Sequence, residues 1–400
     1  MISGQDILCI SFPNWEGDYL KTIRYIMEVL AQRNRILYVD YEFTVKDIIT
    51  TLLNKQQAPV KRMLGINSRL RTLKTQNGDP VYVLTPPPVL PVNWLHNEKL
   101  YKKFAAFNAA IVKKTIKWAM KKIGMDSPIV INAFNPFIGL PLVGAFKEKQ
   151  LIYYCYDEIN ASEWSNRHGG GLEREFIKQV DAVITTSQAL FESRKQLNKR
   201  CFLVKNGVDF ELFNKGAALP ENGSVDLRMQ KKTVGIIGSL DHRIDYRLLH
   251  YLAQEMPDTR FHFIGRVTET DAVLKLKSLP NVVFWGAKQV SKLPSYLKHF
   301  DLGIIPYLCT EQTKNIYPLK INEYLAAGKP VVMTDFADFT EFKNIVRIEN
   351  SKYDFLQAVR DELQTDNSAK RQARIEMARS NSWHNRVGQI SEIVEMAGRI

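Results

Sequence analysis

Residues 315–335, NIYPLKINEYLAAGKPVVMTD, decide the fold. Pro318 disfavours helix before it and suits a first helical turn. Apolar residues then recur at helical spacing as far as Ala327, Gly328 supplies a stop, and Pro330 to about Thr334 reads as a strand. A short helix running directly into an apolar strand is half of an alternating α/β unit. Lys320 lies in the first turn, where the macrodipole already makes the helix end positive. A cation there costs stability unless an anion sits beside it, and the open N–H groups of a helix N-terminus suit a phosphate. Glu323 follows on an adjacent face, placed to take sugar hydroxyls. The plainer alternative is an i, i+3 ion pair worth roughly a few tenths of a kcal/mol.

The same alternation runs along the whole chain. Short apolar runs occur at 7–12, 35–40, 81–86, 128–134, 151–156, 182–187 and 201–206. A second series follows at 233–239, 260–266, 282–286, 302–307 and 330–335. Near-continuous apolar strands between amphipathic segments predict parallel sheets covered on both faces. The two series meet at a stretch rich in Gly, Pro, Asn and charge (214–232), which reads as a linker. The expected fold is α/β, with two Rossmann-like doubly wound domains facing a cleft. The expected boundaries are 1–210, a linker at 211–227, 228–380, and a closing amphipathic helix at 381–400 that packs back on the first domain. In such sheets ligands sit beyond the carboxyl ends of the strands, so the loops after strands are the places to search.

The chain has 400 residues, 45% hydrophobic and 24% charged, which is ordinary globular composition. Its net charge of +13 is not ordinary. It favours an anionic partner: a phosphorylated substrate, a phospholipid surface or nucleic acid. Cys9, Cys155, Cys201 and Cys309 are widely spaced without a CxxC pair, so they read as buried thiols of a reducing compartment rather than zinc ligands. The opening MISGQDILCISF has no basic n-region, and no run of eighteen apolar residues occurs. The expectation is a cytoplasmic protein.

The strand at 233–239 ends in Gly238 and Ser239 before a helix, a phosphate-cradling arrangement. It is not GxGxxG, and no acidic residue ends the next strand, which argues against a dinucleotide cofactor. Arg243, just beyond, could clamp a phosphate bidentately or pair with Asp241 or Asp245.

PLKINEYLAAGKPVV (318–332) resembles the donor-binding signature of GT-B glycosyltransferases, specifically the retaining enzymes of glycosyltransferase family 4. QVDAVITTSQAL (179–190), LVKNGVDFELF (203–213), GIIGSLDHRIDYRLL (235–249), FHFIG (261–265) and LGIIPY (302–307) resemble further family segments in the same order. The resemblance covers the whole chain and is more specific in the second half. Its nearest flavour is the subgroup that builds bacterial exopolysaccharide, capsule or teichuronic-acid-like polymers. It implies a nucleotide-diphosphate-sugar donor, UDP- or GDP-linked, transfer with retention, and no metal or other cofactor. It implies that Glu323 is the second glutamate of an E-x7-E motif that meets the donor ribose. Gly238, Ser239, Arg243 and Lys320 would surround the diphosphate. The first motif glutamate is replaced by Asn315, an amide that can bond a sugar but cannot act as a carboxylate. Asn315 is therefore both a donor-binding and a catalytic candidate.

The first domain is then expected to hold the acceptor. Asn14, Trp15, Gly17 and Asp18 follow the first strand, and Gly17 matches the family's N-terminal glycine loop. Asn135 and Asp157 follow later strands and are acceptor-binding candidates, with Asp157 also a candidate base; either could instead be an N-cap or a solvated loop residue. His168, flanked by glycine, is a weaker candidate. Residues 96–125 hold eight lysines against one glutamate, with Leu100, Phe104, Phe107, Ile111, Ile116, Ala119 and Ile123 near helical spacing. Residues 60–74 are also basic. Both segments suit docking on an anionic membrane surface beside a lipid-linked glycan acceptor. Nothing resembles a nucleic-acid module. The rival readings are an epimerase on the same frame and an inactive scaffold that binds sugar nucleotides, the latter kept open by Asn315.

Overall fold

The central apolar runs become strands because their residues find a core on both faces of a sheet. The computed structural model describes residues 1–17, 22–54, 57–161, 165, 167–218, 231–268 and 270–398. They form two compact units, Met1–Lys205 with Val387–Ile400, and Asn206–Arg386.

The first unit contains β1 (Asp6–Ser11), β2 (Arg35–Val39), β3 (Leu70–Lys74), β4 (Pro80–Leu84), β5 (Ile129–Ala133), β6 (Gln150–Cys155), β7 (Ala182–Thr185) and β8 (Cys201–Leu203). They form one sheet in the order β3-β4-β2-β1-β5-β6-β7-β8. All neighbours are parallel except β3, which runs antiparallel to β4 at the edge. Leu8, Ile10, Leu37, Val39 and Tyr153 enter one core, and the alternate residues Ile7, Cys9, Ile36 and Tyr38 are fully buried on the other face. The reversal of strand order falls between β1 and β5, so the loops after these strands and their neighbours are the unit's natural ligand edge.

The second unit contains β9 (Thr233–Ile237), β10 (Arg260–Ile264), β11 (Val282–Gly286), β12 (Leu302–Ile305), β13 (Val331–Thr334) and β14 (Arg347–Glu349). Their order is β11-β10-β9-β12-β13-β14, parallel throughout. This is the 3-2-1-4-5-6 order of a Rossmann sheet, with its switch point between β9 and β12. Val234, Ile236, Phe261, Phe263, Leu302 and Ile304 pack on one face, and Ile237, Ile264, Ile305, Val331 and Met333 on the other. Gly235 on β9 is required by that packing, since a Cβ there would lie 1.9 Å from the Phe300 ring.

The edge strands β3 and β14 were not among the sequence expectations. Residues 211–218, expected to open the linker, instead belong to a helix, Phe210–Ala218, whose Phe210 and Phe213 are buried in the second unit's core. Two apolar anchors at i and i+3 outweigh the polar residues around them. Of that linker, residues 219–227 lie outside the described residues. The closing helix is Trp383–Ala397. From Val387 it belongs to the first unit, where Gln150 Nε2 donates to Val394 O at 2.7 Å. Cys9, Cys155 and Cys201 are buried, but Cys309 is exposed: it lies in the loop after β12, clear of both cores, which corrects the expectation of four buried thiols.

Candidate active site

In the second unit the switch point is built by two loops tied together. After β9 the chain turns at Gly238, whose φ of +137° lies in the region that favours glycine. Its N–H donates to Ile264 O at 2.9 Å. Gly265 permits a close approach, because a Cβ there would sit 1.7 Å from the Gly238 carbonyl oxygen. The loop then runs beside the one that follows β12. Asp245 N donates to Pro306 O, and Leu308 N to Arg243 O, both at 2.8 Å. His242 Nε2 lies 2.9 Å from Gln312 Oε1. The β12 loop is itself braced by the buried Thr313, whose N–H and that of Thr310 each bond the other residue's hydroxyl.

The helix after this loop is Leu319–Ala326, with Pro318 at its N-cap position and no side-chain cap. Gly328, at φ +71°, ends it, with its N–H bonded to Leu325 O. Tyr324 is fully buried and fixes the helix against the sheet, its hydroxyl accepting from Ile237 N at 2.7 Å. That anchor presents Lys320 over the β9 turn: its Cε lies 3.6 Å from where a Gly238 Cβ would stand. Lys320 Nζ donates to Glu323 Oε2 at 2.8 Å, and Glu323 is 8% exposed. Gly238, Lys320 and Glu323, distant in sequence, therefore share one edge of the sheet.

Arg243 is turned onto Asp241, donating from Nε at 2.9 Å and Nη2 at 2.7 Å, with the guanidinium over the Tyr307 ring. Burial would raise the Asp241 carboxyl, but this guanidinium outweighs it and holds the group below its ordinary range. Asp245 caps the helix Tyr246–Glu255 through Leu248 N. Ser239 follows Gly238 in the turn and is partly exposed. Asn315 ends a 3-10 turn (Thr313–Asn315), with Nδ2 donating to Glu311 O at 2.7 Å. Its amide is thus locally engaged, and Glu311 points outward, its side chain 91% exposed.

Below the same helix lies a buried polar network. Asn206 Nδ2 donates to Tyr317 O, Asn381 Nδ2 to Asn322 Oδ1, and Arg386 Nη2 to Asn381 Oδ1. Gly207 lies against Trp383, where a Cβ would stand 2.9 Å from the indole. The NGVD and SW segments therefore support the helix that carries Lys320. Asp209, unsingled in the sequence, caps Leu212 N at 3.1 Å. Its carboxyl is raised by burial and further by Glu211 and Glu323.

The first unit holds the remaining candidates, and it separates them. Gly17 is exposed, with nothing within 4 Å of an added Cβ, so no packing demands glycine there; Asp18 lies outside the described residues. Asn14 and the buried Trp15 join the β1 loop to the end of β2, Asn14 Oδ1 accepting from Tyr41 N and Asp40 Oδ1 from Trp15 N. Asp157 is exposed, with Oδ1 accepting from Glu158 N. Glu158 pairs with the buried Arg194. His168 stacks on Tyr101 at 3.7 Å and bonds Leu95 O, a structural contact rather than an exposed loop position.

Asn135 is fully buried, and its Nδ2 lies 3.0 and 3.2 Å from the two carboxylate oxygens of Glu42. Glu42, missed in the sequence, lines a cavity of about 720 Å³ with Phe12, Tyr41, Tyr101, Phe137 and Arg167. Burial pushes its carboxyl up to about 7. The available signal was a carboxylate three residues beyond β2, at the ligand edge of the sheet.

The two basic segments meet on another face of this unit. Helix Glu98–Ile123, closed by Gly124 at φ +67°, buries Val112, Ile116, Ala119 and Met120. Leu100, Phe104, Phe107 and Trp118 remain exposed, so the expected apolar stripe is split between core and solvent. Arg69, Lys114, Trp118 and Lys122 line a shared cavity of about 540 Å³. Leu64 and Ile66 are exposed beside Arg69 in sequence, at 51% and 71%. Among the described residues no helix is long and apolar enough to cross a membrane, and no cluster of His, Cys, Asp and Glu suits a metal ion.

Residues 231–365, which carry the Gly238 turn, Lys320 and Glu323, match the family described as Glycosyl transferases group 1. A protein of Bacillus subtilis (strain 168) named as a teichuronic acid biosynthesis glycosyltransferase, TuaH, is 28% identical over 269 residues, 62% of this chain and 68% of that protein. The fold is shared with solved structures. An alpha,alpha-trehalose-phosphate synthase (UDP-forming) from Burkholderia xenovorans, in complex with glucose-6-phosphate, superposes with TM-score 0.70 at 12% identity, covering 98% of this chain and 100% of that one. Anabaena HepE, in complex with UDP and glucose, superposes with TM-score 0.64 at 16% identity, covering 98% and 100%.

Proposed function

We propose that this chain, a glycosyltransferase with a group 1 domain over residues 231–365, moves a sugar from a nucleotide-diphosphate donor to a lipid-linked glycan during synthesis of a bacterial surface polysaccharide. The observation that carries the donor assignment is Lys320 lying over the Gly238 turn, on a helix with an uncapped N-terminus. Transfer requires that negative charge developing on the departing diphosphate be stabilised. Lys320, the helix N–H groups and the backbone at Gly238 and Ser239 supply positive potential at one place. Arg243, aligned by Asp241, approaches the same diphosphate from the β9 loop. Glu323 accepts the ribose hydroxyls, and Asn315 takes a sugar hydroxyl once its amide leaves the Glu311 carbonyl. Asp157 is proposed as a base on the acceptor side, and Gly17 as part of the acceptor loop. The sugar is transferred with retention at its anomeric carbon, from a UDP- or GDP-linked donor; HepE, of the same fold, is solved with UDP and glucose.

The acceptor explains the basic face. Arg69, Lys114 and Lys122 around Trp118, with Leu64, Ile66 and Phe107 exposed, join cations to apolar side chains as a peripheral membrane surface does. The protein works at the cytoplasmic face of the membrane, held by anionic lipid. The deciding experiment is thermal stabilisation by UDP, GDP and ADP, followed by release of free nucleotide from a panel of matching nucleotide sugars. One diphosphate stabilises selectively and one of its sugars is turned over. If no nucleotide stabilises and no donor is consumed with acceptor present, the donor assignment fails.

A further inference from the structure

Glu42 has no part in the donor site, yet several elements hold it in place. Asn132 on β5 clamps the turn that follows: its Oδ1 accepts from Asn135 N and its Nδ2 donates to Asn135 O, both at 2.9 Å. Within that turn Phe134 has φ +58°, an unfavourable setting for a bulky residue. The turn delivers the Asn135 amide to both Glu42 oxygens. A carboxylate offers about four lone-pair sites, so the Asn135 amide and the backbone N–H of Glu42 itself leave acceptor capacity at the cavity.

We infer that this cavity is an acceptor subsite for a sugar ring, in which Glu42 accepts a ring hydroxyl between aromatic walls that include Tyr41 and Tyr101. The inference rests on reading the chain as a glycosyltransferase. At about 720 Å³ the space lies within the range of small-ligand pockets. It combines apolar ring faces with a few fixed polar groups, the chemistry that recognises a carbohydrate, whose C–H faces stack while its hydroxyls bond. The cavity lies beside the strand-order reversal, bounded by Phe12 after β1, Glu42 after β2 and Phe137 after β5. Burial that raises the Glu42 carboxyl places its ionisation near neutrality, so its acceptor strength depends on pH. Its charge raises the neighbouring Tyr41 and Tyr101 hydroxyls beyond what burial does. Lys46, Asp47, His96 and Arg167 complete the charged and titratable lining. Asn135 is a positioning residue, acting through Glu42.

The test uses the full chain and octyl glycosides of glucose, galactose and N-acetylglucosamine as probes, read by saturation-transfer NMR, together with steady-state kinetics on whichever glycoside is glycosylated. Glu42→Gln is expected to raise the acceptor KM about 10- to 100-fold, the range for losing a charged hydrogen bond, while donor hydrolysis and nucleotide binding stay unchanged. For the wild type, acceptor kcat/KM rises as pH increases through about 7, where Glu42 ionises. The inflection disappears in Glu42→Gln and survives in His96→Gln, which removes the histidine that lines the cavity. Ala105, an apolar residue, also lines the cavity, and Ala105→Trp fills it and abolishes sugar-ring saturation. The subsite is overturned if no glycoside shows ring contacts, if only the octyl chain does, or if ring contacts persist in Ala105→Trp. Nucleotide stabilisation on the same samples separates the readings: glycoside binding without any nucleotide response would sink the donor assignment and leave the cavity standing.

Discussion

Lys320→Gln separates a structural lysine from a phosphate-binding one. In the free protein Lys320 pairs locally, with Glu323 at 2.8 Å, the two side chains being 23% and 10% exposed. A glutamine amide can still donate to Glu323. An i, i+3 pair contributes about 0.2–0.5 kcal/mol, and removing a cation from a helix N-terminus returns about 0.3–1 kcal/mol. These nearly cancel, so the melting temperature without nucleotide should stay within about 2 °C of wild type. A bound diphosphate changes the balance. Exchanging a charge-assisted bond for a neutral one there removes about 1–3 kcal/mol, which weakens Kd about 5- to 150-fold. The assay is a titration of melting temperature with the preferred nucleotide diphosphate, or calorimetry at matched salt. Wild-type Kd in the variant would refute the assignment of the anion to this helix. A large loss of stability without nucleotide would show that the Lys320–Glu323 pair is the residue's main role.

Gly265→Ala places a methyl 1.7 Å from the Gly238 carbonyl oxygen; the forced shift should destabilise by about 1–3 kcal/mol and weaken nucleotide binding, read by urea denaturation and the same titration. Lys114→Glu with Lys122→Glu should abolish sedimentation with vesicles containing phosphatidylglycerol at low salt, leaving turnover of a water-soluble acceptor intact; unchanged sedimentation would remove the membrane role of this face. Folded Glu42 keeps its proton to about pH 7, whereas the unfolded carboxyl releases it near its ordinary value of 4.5. The native state then binds more protons in that window, so wild-type stability declines as pH rises through it. Glu42→Gln should flatten the decline, measured as melting temperature against pH.

The apolar runs and the PLKINEYLAAGKP segment determined the two parallel sheets, the helix that carries Lys320 and its glycine stop. They are local: an apolar run needs only a partner on each face, and helix ends are written in Pro and Gly. The edge strands β3 and β14 were illegible because their residues are partly or fully exposed. In β3, LRTLK, Arg71 and Lys74 interrupt the hydrophobic signal, and pairing with β4 alone decides the strand. The neighbours of a charged side chain were likewise hidden. Sequence offered Arg243 both a phosphate and Asp241, and tertiary structure turned it onto Asp241. Spacing made Asn135 a ligand candidate, but the Asn132 clamp buries it and presents Glu42 instead. Gly17 resembled a glycine loop, and no protein atom packs within 4 Å of a Cβ added there. Sequence thus determined what each segment would become, because periodicity and capping act over a few residues. Only the tertiary structure decided which carboxylate faces a cavity and which cation lies over the Gly238 turn, because burial and pairing depend on strands far apart in the chain.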